Sequence, residues 1–353
     1  MRENILEKQL IEIIQNKEMP EHIKLAKVDM LVMLGVDVNT KYNVKSPLFL
    51  AKENGLNGVC EYLSKKGAEE FYYEWEEKRL INQLLKESQS ENPNIKWVKE
   101  LIEKGALVNA KNSIGSTALI EASLAGNKEL VELLIEKGAL VNDKTDSGMT
   151  ALIWASFKGH KEVAKLLIEA GADIDAKDNE AQQGKTALIW AIQNGHKEVV
   201  ELLISKGADI EAKDKTNGNT ALTMASACNR KEVVELLISK GADVNAKNNA
   251  GFNALRMAKN VEIANLLIEK GIDIEAKDEI LGNTALISAS RFGDKELVEL
   301  LISKGADVNA KDKDGKTALK WAKNEEIRKV IIDAVKKRNE KDNVNLVINE
   351  IER

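Results

Sequence analysis

Residues 218–247 read GNTALTMASACNRKEVVELLISKGADVNAK. Thr220 stands where a helix would open, because its hydroxyl can accept a bond from a free backbone N–H of the first turn. A short helical run follows, and then a second run beginning Lys-Glu-Val-Val. The second runs carry apolar residues at i, i+3, i+4 spacing, as Val199, Leu202 and Leu203 do in the preceding copy, which predicts a helix with one buried face. Gly241 sits where a left-handed residue would terminate that helix. A lone helix hairpin of this size cannot bury its apolar face, so the pattern predicts stacking against similar hairpins.

The unit recurs. Its opening glycine stands at 115, 148, 184, 218, 251, 282 and 315, with spacings of 33, 36, 34, 33, 31 and 33 residues. The position that opens the first helix is Ser46, Thr117, Thr150, Thr186, Thr220, Asn253, Thr284 or Thr317, a capping residue type in every copy. Second helices are expected to start at Asn127, His160, His196, Asn229 or Asp294. Because three of these five are short polar caps, the two histidines read as structural. Gly35, Gly67, Gly105, Gly138, Gly171, Gly207, Gly241, Gly271 and Gly305 end the second helices. The remaining glycines fall between or near the paired helices, and none is left over for a phosphate-cradling loop.

These residues resemble the ankyrin-repeat family. Its Thr-Pro-Leu-His-x-Ala signature is matched by Thr150-Ala151-Leu152-Ile153-Trp154-Ala155 and its copies, and earlier by Ser46-Pro47-Leu48-Phe49-Leu50-Ala51. Its second-helix start is matched by Gly195-His196-Lys197-Glu198-Val199-Val200, and its connector by Gly241 to Ala246 and Gly305 to Ala310. The resemblance is strong over about 105–336 and weaker over about 3–104. It implies an all-α fold, a solenoid of stacked helix-turn-helix hairpins with β-turn-like fingertip loops. The family histidine is replaced by Ile120, Ile153, Ile189, Thr223, Arg256, Ile287 or Lys320. The bonding between neighbouring loops that this histidine mediates is therefore expected to be lost.

Four regions follow. Residues 1–36 are expected to form an N-terminal capping helical pair, with Pro20 near the start of its second helix. Residues 37–104 hold diverged repeats, including a hairpin over 68–105 with a long first helix. Residues 105–338 hold the consensus-like repeats and a C-terminal cap. Residues 339–353 read as a charged linker and then a possible short amphipathic helix through Val344, Val347, Ile348 and Ile351, which either caps the stack or frays. The junctions at Met257–Val261 and Trp321–Glu325 lack about three residues and predict tighter turns.

Composition narrows the function class. The formal net charge is -5 with both signs interspersed, which argues against a duplex nucleic-acid partner. Cys60 and Cys228 have no metal or redox spacing. The N-terminus lacks an apolar signal region and no stretch is long enough to span a bilayer. A cytoplasmic monomer is expected, with leaderless export as an effector left open. Gly184-Lys185-Thr186 and Gly315-Lys316-Thr317 look like the end of a phosphate-binding loop, but that motif needs a glycine five residues earlier, where Asn179 and Ala310 stand. Asp312-Lys313-Asp314-Gly315 lacks the upstream acidic ligand of a calcium loop. The only histidines are His22, His160 and His196, a thin supply for a metal site. No nucleophile–base pair is legible. A non-enzymatic protein without cofactor or metal is expected.

The resemblance implies that partners dock on a concave surface lined by the loop fingers and first helices. On that face the sequence places Glu121, Leu124 and Ala125; Trp154, Phe157 and Lys158; Trp190, Gln193 and Asn194; Met224, Ala227 and Cys228; Met257; Ser288, Arg291 and Phe292; and Trp321. Three of the five tryptophans occupy one equivalent position in a chain with 4% aromatics. Tryptophan is enriched among interface hot spots. The rings could equally pack against the next repeat, and for Trp321 packing is favoured. Fingertip Ile114, Met149, Phe252 and Leu281 would extend the surface or fold over the stack. The cluster Phe71-Tyr72-Tyr73-Glu74-Trp75 offers a second exposed patch or packs near Trp97. The expected function is a protein–protein interaction scaffold binding another protein through this groove. The alternatives are a regulatory or targeting subunit of an enzyme, an effector acting on host proteins, or a small-molecule or catalytic site in the groove.

Overall fold

In a computed structural model, the described residues are 2–38, 46–179, 181 and 183–351, without the side chains of 2–5, 7, 49, 69–76 and 339–351. The Phe71–Trp75 cluster therefore lies outside the described side chains. The chain divides into two compact units, 1–112 and 113–353.

The first unit is three helix pairs. The expected terminal pair is α1 (Arg2–Gln15) and α2 (Glu21–Met33), with Pro20 as the N-cap of α2. Proline suits that place because its missing N–H has no intrahelical partner to lose. α3 (Pro47–Glu53) and α4 (Asn57–Lys65) follow, then the long α5 (Glu69–Ser88) and α6 (Ile95–Glu103). Leu10, Ile11, Ile14, Val28, Val59 and Leu63 form its core. Two bonds tie α2 to α4: Glu21 Oε1 accepts from the Gly58 N–H at 2.6 Å, and Tyr62 donates to Asp29 at 2.5 Å.

The second unit is the regular array. Its pairs are α7 (Ala118–Ala125) with α8 (Lys128–Glu136), α9 (Ala151–Lys158) with α10 (Lys161–Glu169), and α11 (Ala187–Asn194) with α12 (Lys197–Ser205). Then come α13 (Ala221–Ala227) with α14 (Lys231–Ser239), α15 (Ala254–Met257) with α16 (Val261–Glu269), α17 (Ala285–Phe292) with α18 (Lys295–Ser303), and α19 (Ala318–Trp321) with α20 (Glu325–Ile351). First helices stack on first helices, and second helices on second helices. The leucine two residues after the cap is buried in six hairpins: Leu119, Leu152, Leu188, Leu222, Leu255 and Leu286 are each 1% exposed, whereas Leu319 in the terminal hairpin is half-buried. Burying one such side chain stabilises by about 1.5–3 kcal/mol.

Sequence caps become bonds. The side chains of Thr117, Thr150, Thr186, Thr220, Asn253 and Thr284 each accept from the N–H three residues on. Thr317 has the same backbone geometry but no such bond. The expected start at Asn229 is displaced by one residue. Arg230 is the N-cap of α14, and Asn229 takes a left-handed φ of 58°, filling the place that Gly195 holds in the preceding hairpin. Asparagine is one of the few side chains that tolerates this region.

Both shortened junctions hold: α15 and α19 have four residues each. In each, an extended alanine, Ala258 or Ala322, replaces the left-handed turn. The linker expected at 339 is not a break, because α20 continues helical to Ile351. Its start packs on α18 and α19 and buries Ile327 and Ile331, closing the core of the array.

Candidate functional site

Three ladders run across the second unit and fix one repeat against the next. At the fingertips, a backbone N–H of each loop donates to the carbonyl of the loop before it. Asp146 donates to Ile114 at 3.0 Å, Asn179 to Ser147 at 3.0 Å, Lys215 to Gln183 at 2.8 Å, and Asn249 to Asn217 at 2.8 Å. Glu279 to Ala250 and Lys313 to Leu281 continue the series, both at 2.9 Å. The main chain thus links neighbouring loops without the family histidine, whose own bonding is absent from this chain. A second ladder is made of lysines. Lys144, Lys177, Lys213, Lys247 and Lys277 each donate Nζ to a carbonyl of the following connector. The recurrence of lysine at this one repeat position is the sequence signal for the ladder.

The third ladder joins the helix turns. His160 Nε2 lies 3.1 Å from Leu124 O, and His196 Nε2 lies 2.9 Å from Phe157 O. Arg230 and Lys323 make the equivalent contact with Gln193 O and Phe292 O. The histidines therefore work as structural links. Gly126 shows why glycine precedes such a link. Its φ is 78°, and a Cβ there would stand 2.5 Å from the His160 ring.

On this frame the first helices present their face. Trp154 and Phe157 meet edge to face at 5.6 Å, and Phe157 meets Trp190 at 5.2 Å, so three half-buried rings form a continuous column from α9 to α11. Edge-to-face contact puts the positive ring edge on the negative ring face. The Trp190 indole N–H donates to Asp178 Oδ2 at 2.8 Å. Lys185 Nζ stands 4.2 Å above the same ring and donates to Gln193 Oε1 at 2.8 Å. Burial pushes the Asp178 carboxyl up, against the Trp190 and backbone donors that lower it. Burial likewise pushes the Lys185 ammonium down, against the attraction of Asp178. Lys185 is thus spent on the stack, and Thr186 beside it caps a helix, which accounts for Gly184-Lys185-Thr186 without a phosphate. Trp321 repeats the arrangement, donating to Asp312 Oδ2 at 2.7 Å beneath Arg291 and Lys316.

The other expected residues divide by exposure. Lys158, Gln193, Asn194, Arg291 and Phe292 are exposed, with Phe292 at 64% and fingertip Ile114 at 59%. Met224, Met257 and Phe252 are half-buried. Met149 is a correction. It is 3% exposed, because the loop closes on itself through Thr145, whose N–H donates to Met149 O and whose Oγ1 accepts from Met149 N–H. Its side chain turns inward and offers no surface. Glu121 and Ser288 are buried as well. Among the described residues, no group of three or more His, Cys, Asp and Glu side chains could hold a metal ion, and no helix is long and apolar enough to cross a membrane.

Comparison with known proteins agrees with the repeat reading. The family model described as "Ankyrin repeats (3 copies)" matches residues 87–178, 176–248, 210–278 and 252–343. No curated protein matches significantly. Among solved structures, the crystal structure of the ankyrin repeat domain of Bcl-3, titled a unique member of the IkappaB protein family, is similar at 28% identity and a TM-score of 0.55. The match covers 62% of this chain and 98% of that one.

Proposed function

Since the chain belongs to the ankyrin-repeat family, whose repeats are generally protein–protein interaction modules, we propose that it is a binding scaffold that captures another protein on the first-helix face of residues 113–353. The observation that carries this reading is the half-buried column Trp154–Phe157–Trp190, in which Trp190 is held by Asp178 and Lys185. Rigid aromatic side chains bind with little further loss of rotamer freedom, and interface energy concentrates on such anchors. The exposed Lys158, Gln193 and Asn194 border the column and supply a polar rim. Ile114, Phe252, Met224, Met257, Arg291 and Phe292 extend the same face along the array.

The test is affinity capture from native lysate with the intact chain and with the Trp154→Ala/Trp190→Ala variant, read by mass spectrometry beside a helical circular dichroism spectrum. Loss of the captured partner with an intact spectrum supports the assignment. Capture that survives the double substitution unchanged removes this face from consideration.

A further inference from the structure

The four-residue first helix α15 leaves a notch between its longer neighbours α13 and α17. The cavity there is about 540 Å³, and Leu255, Met257, Ala258, Ala285 and Phe292 give it apolar walls. A smaller cavity of about 190 Å³ adjoins it at the fingertip side, sharing Arg256, Ser288 and Phe292. Arg256 sits where they meet, its guanidinium 4.6 Å from the Phe252 ring and 5.7 Å from the Phe292 ring. Arg291 reaches the rim from α17 and is exposed.

Three polar atoms at this place are buried without a hydrogen-bond partner: Arg256 Nε, Ser288 Oγ and Asn283 Oδ1. Ser288 and Asn283 are each 3% exposed. Buried polar groups are ordinarily satisfied, and two of these atoms, the Arg256 Nε–H and the Ser288 hydroxyl, can donate, so the notch is a place where an acceptor fits. The carboxylate facing Arg256, Asp278, already accepts from the Leu281 and Gly282 N–H groups. Burial lowers the pKa of Arg256, Asp278 opposes that, and Arg291 adds to it. An arginine nevertheless stays charged at any physiological pH. The site is therefore two guanidinium cations, partly offset by the Asp278 carboxylate, beside an apolar hollow.

We infer that this notch receives an acidic side chain of the protein partner, an Asp or Glu adjacent to a bulky apolar residue. The carboxylate pairs with Arg256 and Arg291, and the apolar neighbour fills the hollow over Met257 and Ala258. Guanidinium forks match carboxylates in plane and can take both oxygens. A free inorganic anion would satisfy the arginines but leave the larger apolar cavity unfilled. The inference rests on the scaffold reading above and extends it to the chemistry of the partner.

The experiment pans a random dodecapeptide display library on the full chain and then titrates the selected peptides by fluorescence anisotropy. The expected peptides share an acidic–apolar pair, and Arg256→Gln/Arg291→Gln weakens them by about tenfold or more, the cost of losing a charged anchor. Because Arg256 is half-buried, Phe292→Glu is the second variant. It is exposed in the native chain, and it sets a like charge in the notch that should weaken the same peptides comparably. Selected peptides that respond to Trp154→Ala/Trp190→Ala but not to these variants overturn the inference and leave the scaffold reading standing. A library that yields no acidic–apolar consensus overturns it, and so does arginine-dependent binding of inorganic phosphate without peptide binding. The scaffold reading is judged separately, by the capture experiment.

Discussion

The Trp190 indole N–H and the Asp178 carboxylate, 2.8 Å apart, join a first helix to the fingertip loop that precedes it. Trp321 and Asp312 are paired in the same way. Trp154 has Thr145 at the corresponding loop position and lies edge-on to Phe157 instead. One sequence position thus holds three tryptophans in two kinds of support. Trp190→Phe should keep the ring contact with Phe157 and lose the bond to Asp178, costing about 1–2 kcal/mol, the low side of a bond to a charged group because the site is half-exposed. Phe157→Ala should cost more, because it removes two ring contacts and the buried area with them. Urea unfolding followed by circular dichroism measures both, and equal losses would break the distinction.

The two aspartates should respond to acid in opposite senses. Burial raises Asp178, so it protonates first as pH falls. The charged form of Asp178 is disfavoured by folding, and protonation at its raised folded pKa removes that penalty. At Asp312 burial also raises the carboxyl, but the Trp321 donor, the Lys316 and Asp314 backbone N–H groups and the Lys316 charge together hold it below the ordinary value. Its contribution to stability is present above the unfolded aspartate pKa and is lost as pH falls through the lower folded pKa. Carboxyl carbon NMR over a titration from neutral to strongly acidic pH should show Asp178 shifting before Asp312; the reverse order contradicts the assignment.

Thr186 and Thr317 occupy the same repeat position, yet only Thr186 makes a capping bond, to the Ile189 N–H at 3.4 Å. Thr186→Ala should cost about 1 kcal/mol, and Thr317→Ala should cost measurably less. Thermal or urea melts of the two single variants compare them directly.

The links between helix turns predict a steric result. Gly126→Ala forces a side chain into left-handed backbone and into the His160 ring. His160→Ala removes one inter-repeat bond, worth about 0.5–1.5 kcal/mol. The glycine substitution should lose more than the histidine substitution, and part of its loss should disappear in the double variant, where the ring is gone. Strict additivity of the two would show that the close approach carries no energy.

Much of this was legible in the sequence. The period placed every hairpin of the array, because caps, left-handed glycines and apolar spacing are local signals with local causes. The shortened hairpins at 257–261 and 321–325 were visible as missing residues. What lay beyond reach depended on neighbours one repeat away. The direction of Met149 is set by loop closure on Thr145. The shift from Asn229 to Arg230 as cap followed from an asparagine taking a glycine's backbone conformation. The lysine and backbone ladders link residues some thirty positions apart; the lysines recur at one repeat position in the sequence, but their partners are set by stacking. The notch at Arg256 was foreseeable as a short helix, whereas its orphaned polar atoms are a property of packing.

The central claim is that the partner sits on the first-helix face, and site-specific photocrosslinking tests it most directly. p-Benzoylphenylalanine is placed at Lys158 and Gln193 on first helices, and at Lys165 and Glu201 on second helices, all four exposed in the chain. Irradiation of the captured complex should give covalent adducts from Lys158 and Gln193 and none from the second-helix positions. Adducts confined to Lys165 and Glu201 would place the partner on the opposite face and contradict the account.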